Sequence, residues 1–294
     1  MRILHLDSGR EMRGGQWQAL RLMEGLRKEG VDCTLLAPEG APLFQKARER
    51  GLDAGPLGPW AVSRFARRAD LVHAHDARAH TLAAVLAGAP LVVSRRVAFP
   101  IRSRWKYRQA SRYAAVSQFV KRVLTEGGVP EEKISVVYDG VPLREPVAGG
   151  DHVMAPATND PQKGTELARE AARRAGVELY LSRDLESDLA TARLFVYLTR
   201  SEGLGSAVLM AMAAGVPVVA SNTGGLPEII RHRENGWLAE NEAEPVAAAI
   251  AELLGNRALA RRLAERGRQT VAEKFSVDSM IHNTIDLYRQ VLTC

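Results

Sequence analysis

Cysteine is nearly absent from this 294-residue chain: Cys33 lies in an apolar segment and Cys294 is the last residue. Two such positions give neither a disulfide framework nor a cysteine metal site, and a reducing cytoplasm fits them. The start, Met-Arg-Ile-Leu-His-Leu-Asp, lacks the long apolar core and small-residue cleavage site of a secretory leader and reads as a short strand. Residues 203–227 carry no charge, which raises a membrane span. They are broken by Gly203, Gly205, Gly215, Gly224 and Gly225 and by Pro217 and Pro227. A lipid-exposed helix would lose backbone hydrogen bonds at each break, so the stretch reads as buried core. The loop around Gly9, Gly14 and Gly15 lacks two nucleotide motifs. Gly15 and Gln16 stand where a P-loop needs Lys and Ser/Thr, and no Gly-x-Gly-x-x-Gly is present. No internal repeat or low-complexity tract is evident.

What is present is an ordinary globular composition, 46% hydrophobic and 25% charged, long enough for one large or two medium domains. Ile3–Leu6 reads as a strand. A helix is expected over 16–29, with Leu20, Met23 and Leu26 on one face and Gly30 as its stop, and Val31–Ala37 as the next strand. That is the βαβ start of a doubly wound α/β sheet. Asp70–Asp76 reads as another strand, and in open α/β sheets strand C-termini face the ligand crevice. This makes His73, His75 and Asp76 candidate site residues. Their His-x-His-Asp order also admits a metal-hydrolase reading, but no further His/Asp cluster in the sequence supplies a third ligand, so no metal is expected. Residues 95–112 hold Arg95, Arg96, Arg102, Arg104, Lys106, Arg108 and Arg112, no acid, and interleaved Phe99, Ile101, Trp105 and Tyr107. Such a segment suits an anionic acceptor or an anionic membrane surface, where each nearby cation contributes ~1 kcal/mol. It also suits a plain solvated face. No nucleic-acid module accompanies it, so nucleic acid is not expected as a partner. Pro142, Pro146, Gly149 and Gly150 mark 142–151 as an interdomain linker.

In the second half, an apolar run 194–198 is followed by Glu202 in a polar turn and by a helix expected over 206–214. Gly215 is its stop, 216–220 the next strand, and Gly224-Gly225 ends that strand. Gly-rich turns let backbone approach a ligand, and a helix N-terminus offers free N–H groups to an anion. The residues from Glu202 through Ala211-Met212-Ala213, Gly215, Pro217-Val-Val-Ala, Gly224-Gly225 and Pro227-Glu228 resemble the donor-site signature of retaining glycosyltransferases of family 4. Ala114–Ser117 and Tyr138-Asp139-Gly140-Val141 resemble further elements of that family, and the Gly14-Gly15 loop resembles the one after its first strand. Two positions depart from the pattern. Met210 replaces a second acid that holds ribose, and Thr158 replaces an Arg that joins Lys163 at the donor diphosphate. Only 39 residues separate Lys163 from Glu202, so the second domain is expected to be a trimmed one.

The resemblance implies a GT-B fold: two Rossmann-like doubly wound domains, 1–145 for the acceptor and 151–275 for the nucleotide-sugar, facing a cleft. The last helix, 276–294, is expected to cross back onto the first domain. It implies a retaining glycosyltransferase of the hexosyl type. Lys163, Gly14, Gly15 and the N–H groups of Gly203, Leu204, Gly205 and Ser206 would stabilise the leaving diphosphate, and Glu202 would hold donor-sugar hydroxyls. In the family the leaving phosphate takes the acceptor proton, so neither metal nor cofactor is required beyond the nucleotide-sugar co-substrate. Arg96, with Arg95, occupies the place of a family His near the reaction centre. Arginine cannot serve as a base, so its expected role is electrostatic. His75, Asp76 and Arg95 are expected to line the acceptor side. The acceptor class implied is an acidic or lipid-linked glycan, as in lipopolysaccharide or other envelope polysaccharide, handled in the cytoplasm or at the inner membrane face. The alternative is a non-catalytic nucleotide-sugar-binding or partner subunit with a degenerate donor site.

Overall fold

The computed structural model describes residues 1–101, 104–146 and 149–293; Arg102 of the basic segment and Cys294 lie outside the described residues. The chain forms two compact units, Met1–Asp139 with Val277–Cys294, and Gly140–Ser276. The first unit holds strands β1 (Arg2–Leu6), β2 (Asp32–Ala37), β3 (Asp53–Pro56), β4 (Leu71–Ala74), β5 (Leu91–Arg95), β6 (Arg112–Ala115) and β7 (Ile134–Val136). They make a fully parallel sheet in the order β3-β2-β1-β4-β5-β6-β7. The crossovers carry α1 (Gly14–Lys28), α2 (Pro42–Glu49), α3 (Pro59–Ala66), α4 (Ala77–Leu86), α5 (Arg104–Gln109) and α6 (Gln118–Glu126).

Helix α1 starts two residues earlier than the glycines suggest, because Gln16 anchors its first turn. The Gln16 side chain accepts from Arg13 N–H and donates to the Asp7 carboxylate. The helix stops as expected: Gly30 sits at φ +75° and Val31 N–H reaches back to the Leu26 carbonyl.

The second unit holds β8 (His152–Pro156), β9 (Leu179–Ser182), β10 (Ala192–Tyr197), β11 (Val218–Ser221) and β12 (Trp237–Ala239), again all parallel, in the order β12-β11-β10-β8-β9. Its helices are α7 (Thr165–Arg174), α8 (Leu185–Asp188), α9 (Ser206–Ala213), α10 (Leu226–Ile229), α11 (Ala243–Gly255) and α12 (Arg257–Lys274). Helix α9 ends as α1 does, with Gly215 at φ +73° and Val216 N–H on the Ala211 carbonyl. The described part of 142–151 is not a free linker. Val141 N–H donates to Phe275, Arg268 donates to the Arg144 carbonyl, and Arg144 pairs with Glu186, which fastens the segment to the second unit.

The last helix, α13 (Val277–Leu292), belongs to the first unit. Its Met280, Ile281, Ile285 and Tyr288 join Ile3, Leu22, Leu26, Cys33 and Leu71 in one apolar cluster. Each such side chain, once buried, stabilises by about 1.5–3 kcal/mol. Gly25 on α1 is what allows the contact: a Cβ there would lie 1.9 Å from Ile281 Cδ1. Among the described residues, no helix is long and apolar enough to cross a membrane.

Candidate functional site

Each sheet reverses its direction of growth once, between β8 and β10 in the second unit and between β1 and β4 in the first. The crevice outside the C-terminal ends of those strands is where open α/β sheets take ligands.

In the second unit a cavity of about 170 Å³ opens at that point, lined by Pro156, Thr158, Lys163, Thr165, Tyr197 and Ala207 among others. Lys163 is the only charged residue lining it among the described residues. The turn before α7 presents Lys163: its N–H bonds the Asp160 carbonyl, and Gly164 N–H bonds Leu198 at 2.8 Å. Gly164 must be small here, since a Cβ would stand 2.9 Å from Leu198 Cβ. Lys163 Nζ donates to Tyr197 Oη at 2.8 Å and to Glu202 Oε2 at 2.5 Å. Tyr197 Oη in turn donates to the same Oε2. Burial, then the charge of Glu202, pushes the Tyr197 phenol well above its ordinary range, so it stays a neutral donor.

The turn bearing Glu202 is shaped by glycine. Gly205 caps α9 at φ +114°, a left-handed conformation, and Gly203 N–H donates to Glu202 Oε1 at 3.1 Å. The Gly224-Gly225 turn lies against this loop. Cβ atoms at these two positions would fall 2.2 Å from the Glu202 and Gly203 carbonyl oxygens, respectively. Gly225 N–H donates to Glu202 O. The close backbone approach read from those glycines is therefore to the Glu202 loop itself. Gly203, Leu204 and Gly205 are buried, while Ser206 is half-buried. Thr158 closes its own turn, accepting from Asp160 N–H, and adds no charge. Met210 is half-buried on α9.

The first unit's switch point is built differently. Asp76 caps α4, accepting from Arg78 and Ala79 N–H groups, and ties β4 to the β1 loop through Ser8 N–H and Oγ. Those four donors give this proposed acceptor-side carboxylate a structural task. Asp7 is fully buried, and burial raises its carboxyl above the usual range despite bonds from Gly9 N–H and Gln16. His75 is buried and bonds His5 at 2.9 Å, while His73 bonds Tyr288 at 2.6 Å and Ser94 at 2.8 Å. Thus His5 joins the pair that the sequence left without a third imidazole, because β1 and β4 pair with His5 beside His73. The ligand atoms of the three lie within 4.8 Å of one another, so they could hold a metal ion. As arranged, His5 and His75 share a proton and both His73 nitrogens are engaged, so a cation would have to replace those bonds. Burial keeps all three neutral, with His5 lowered to about 3 and His73 and His75 well below the usual value.

Gly14 and Gly15 open α1, and Arg96 Cδ lies 3.8 Å from where a Gly15 Cβ would be. Arg96 is largely buried against Asp139, Nε to Oδ1 at 3.0 Å, with Nη1 buried and unbonded. Arg95 donates to the Phe99 carbonyl and holds its own loop. In the basic segment Phe99 and Trp105 are 65% and 47% exposed, whereas Tyr107 turns inward and stacks on Tyr113.

Known proteins match along almost the whole chain. Residues 148–270 fit the model of glycosyl transferases group 1, and residues 12–145 that of Glycosyltransferase Family 4. The chain belongs to glycosyltransferase family 4. Similar to this family 4 chain is an N-acetyl-alpha-D-glucosaminyl L-malate synthase of Bacillus anthracis, 35% identical over 105 residues, 35% of this chain and 28% of that protein. The lipopolysaccharide core biosynthesis glycosyltransferase LpsE of Rhizobium meliloti is 34% identical over 110 residues, 37% of this chain and 31% of LpsE. The match thus spans about a third or less of these relatives. Among solved structures, Anabaena Alr3699/HepE in complex with UDP and glucose gives a TM-score of 0.84 at 18% identity, covering 99% of this chain and 100% of that one. At that identity the likeness is one of fold, GT-B with two Rossmann-like units.

Proposed function

We propose that this chain transfers a sugar from a nucleotide-sugar to an acceptor hydroxyl with retention, as a hexosyl- or related transferase. The observation that carries the reading is the Lys163–Tyr197–Glu202 group at the cavity between β8 and β10. In this reading Lys163 and the N-terminal N–H groups of α9 bind the diphosphate, and Glu202 accepts from a sugar hydroxyl. The bond from the sugar's anomeric carbon to the diphosphate breaks, and a bond from that carbon to the acceptor oxygen forms on the same face. The acceptor proton passes to the departing phosphate, so no protein base, metal or cofactor is required. HepE crystallised with UDP and with UDP-glucose supports a nucleotide-sugar donor. In the first unit, Gly14 and Gly15 at the N-terminus of α1 offer N–H groups for the donor phosphates, Arg96 acts electrostatically near the reaction centre, and Arg95 serves an anionic group of the acceptor. The exposed Phe99 and Trp105 among basic residues favour a lipid-linked or acidic glycan, as in lipopolysaccharide synthesis, met at an anionic membrane surface on the cytoplasmic side.

Calorimetric titration with UDP, GDP, ADP and CMP, with and without Mg²⁺, followed by a donor-sugar screen, tests this. One base should bind without metal, and its sugar nucleotides should turn over. Binding without turnover would instead support a non-catalytic binding subunit. That reading draws on Thr158, Met210 and the closed Lys163–Glu202 pair.

A further inference from the structure

We propose that Tyr197 is a positioning residue: it retains Glu202 when a donor diphosphate draws Lys163 away. The inference rests on the donor-site reading above. Three donors converge on the Glu202 carboxylate: Lys163 Nζ and Tyr197 Oη on Oε2, and Gly203 N–H on Oε1. Only one of the three sits on a long, flexible side chain. Lys163 reaches Glu202 on a four-carbon stem that is 26% exposed, and an ammonium is free to follow a stronger anion. Tyr197 is 8% exposed, with its ring stacked on Phe195 at 6.3 Å, and Gly203 N–H belongs to the α9 entry turn.

The cavity beside Lys163 holds no other cation among the described residues, since Thr158 closes its own turn. A diphosphate entering there must recruit Lys163, and Lys163 is paired with Glu202. The site therefore needs a group that satisfies the carboxylate after its counter-ion leaves, because a largely buried carboxylate stripped of its partner is unfavourable. The phenol does this without charge. It cannot compete with the phosphates for Lys163 as an anion, and it leaves the remaining lone pairs of Glu202 open to a sugar hydroxyl. A Phe at this position would pack as well in the strand and would lack that bond.

The test is Tyr197→Phe in the full-length chain, which removes one oxygen and keeps the ring. Affinity for the nucleoside diphosphate should stay within about threefold, because that ligand engages Lys163 and not Glu202. The kcat should fall about tenfold or more, the range expected for losing one hydrogen bond to a charged group. The acid-side decline of kcat should also move to higher pH. Unchanged kcat and an unchanged pH profile would overturn the proposal, even with a lower Tm, because Tyr197 would then only pack. A diphosphate affinity that drops as much as kcat/KM would also overturn it, because Tyr197 would then act through Lys163. If the wild-type chain binds no nucleotide and transfers no sugar, the donor-site reading itself fails and takes this inference with it. That result is visible before the variant is compared.

Discussion

The two switch points occupy the same place in two parallel sheets and have opposite electrostatics. At β8 and β10 a Lys and a Glu, 26% and 16% exposed, face each other beside an open cavity. At β1 and β4 three imidazoles and a tyrosine are sealed between the sheet and α13, neutral and bonded mainly to one another. Charge is tolerated where water and a charged ligand can reach it and is suppressed where the fold must stay dry. The same topology thus carries a partly exposed ion pair in one unit and a buried, neutral imidazole cluster, a plug, in the other. Sequence position at a strand end does not tell the two apart.

The sharpest way to break this comparison is to remove the charged end. Glu202→Ala should lower transfer by about 10³-fold or more while leaving the fold intact, since the loop backbone is also held by Gly225 N–H on the Glu202 carbonyl and by Gly205 at the α9 cap, neither of which involves the carboxylate. Turnover with the matched sugar nucleotide, beside a far-ultraviolet spectrum, measures both. Wild-type turnover in the variant would place Glu202 with the structural groups. The counterpart, His75→Asn, belongs to the plug and should act on stability instead.

Acid should separate the units next. In the unfolded chain an imidazole takes a proton below about pH 6.5, whereas folded His5, His73 and His75 resist protonation, His5 down to about 3. The unfolded state then binds more protons, so this stability is present above pH 6.5 and is lost as pH falls from 6.5 toward 3. Each imidazole removes ~1.4 kcal/mol per pH unit in that window, so three remove several kcal/mol between pH 7 and 5. His152 and His232 of the second unit are exposed. Hydrogen exchange at pH 7 and 5, corrected for intrinsic rates, should show protection lost in β1, β4 and α13 before β8 and β10. Equal losses in both units would remove the electrostatic contrast.

How much of this was legible beforehand depends on where each partner lies along the chain. Lys163 and Glu202 stand in turns whose glycines and charges announce them, and the helix stops at Gly30 and Gly215 follow from local backbone chemistry. Tyr197 was not visible. It lies within an apolar run, Leu194–Leu198, where an aromatic reads as core, and its hydroxyl acquires meaning only when the turn before α7 brings Lys163 across from 34 residues away. His5 was hidden for a similar reason: 70 residues separate it from His75, and the strand register that joins them is a product of the crossover. Asp76 was visible as a polar strand end, but its role as the α4 cap depends on the N–H groups that follow it. Composition cannot distinguish a carboxylate aimed at a ligand from one aimed at a helix.

The smallest effect tests whether the buried plug depends on the helix that closes it. Gly25→Ala places a methyl group 1.9 Å from Ile281 Cδ1, so α13 must shift or Ile281 must leave its rotamer. Overpacking of this kind costs about 1–3 kcal/mol. Because α13 also carries Tyr288, the partner of His73, the strain reaches the imidazoles along the same helix. Ile281→Ala alone opens a cavity and should destabilise by about 2–5 kcal/mol. Joined with Gly25→Ala it should cost less than the two added, because the new methyl occupies part of the vacated space. Urea unfolding of the two single variants and the double variant measures that coupling. Strict additivity would mean that α13 is seated by contacts other than the one at Gly25. Nucleotide binding by the second unit should be unaltered in all three, since none of these residues belongs to it.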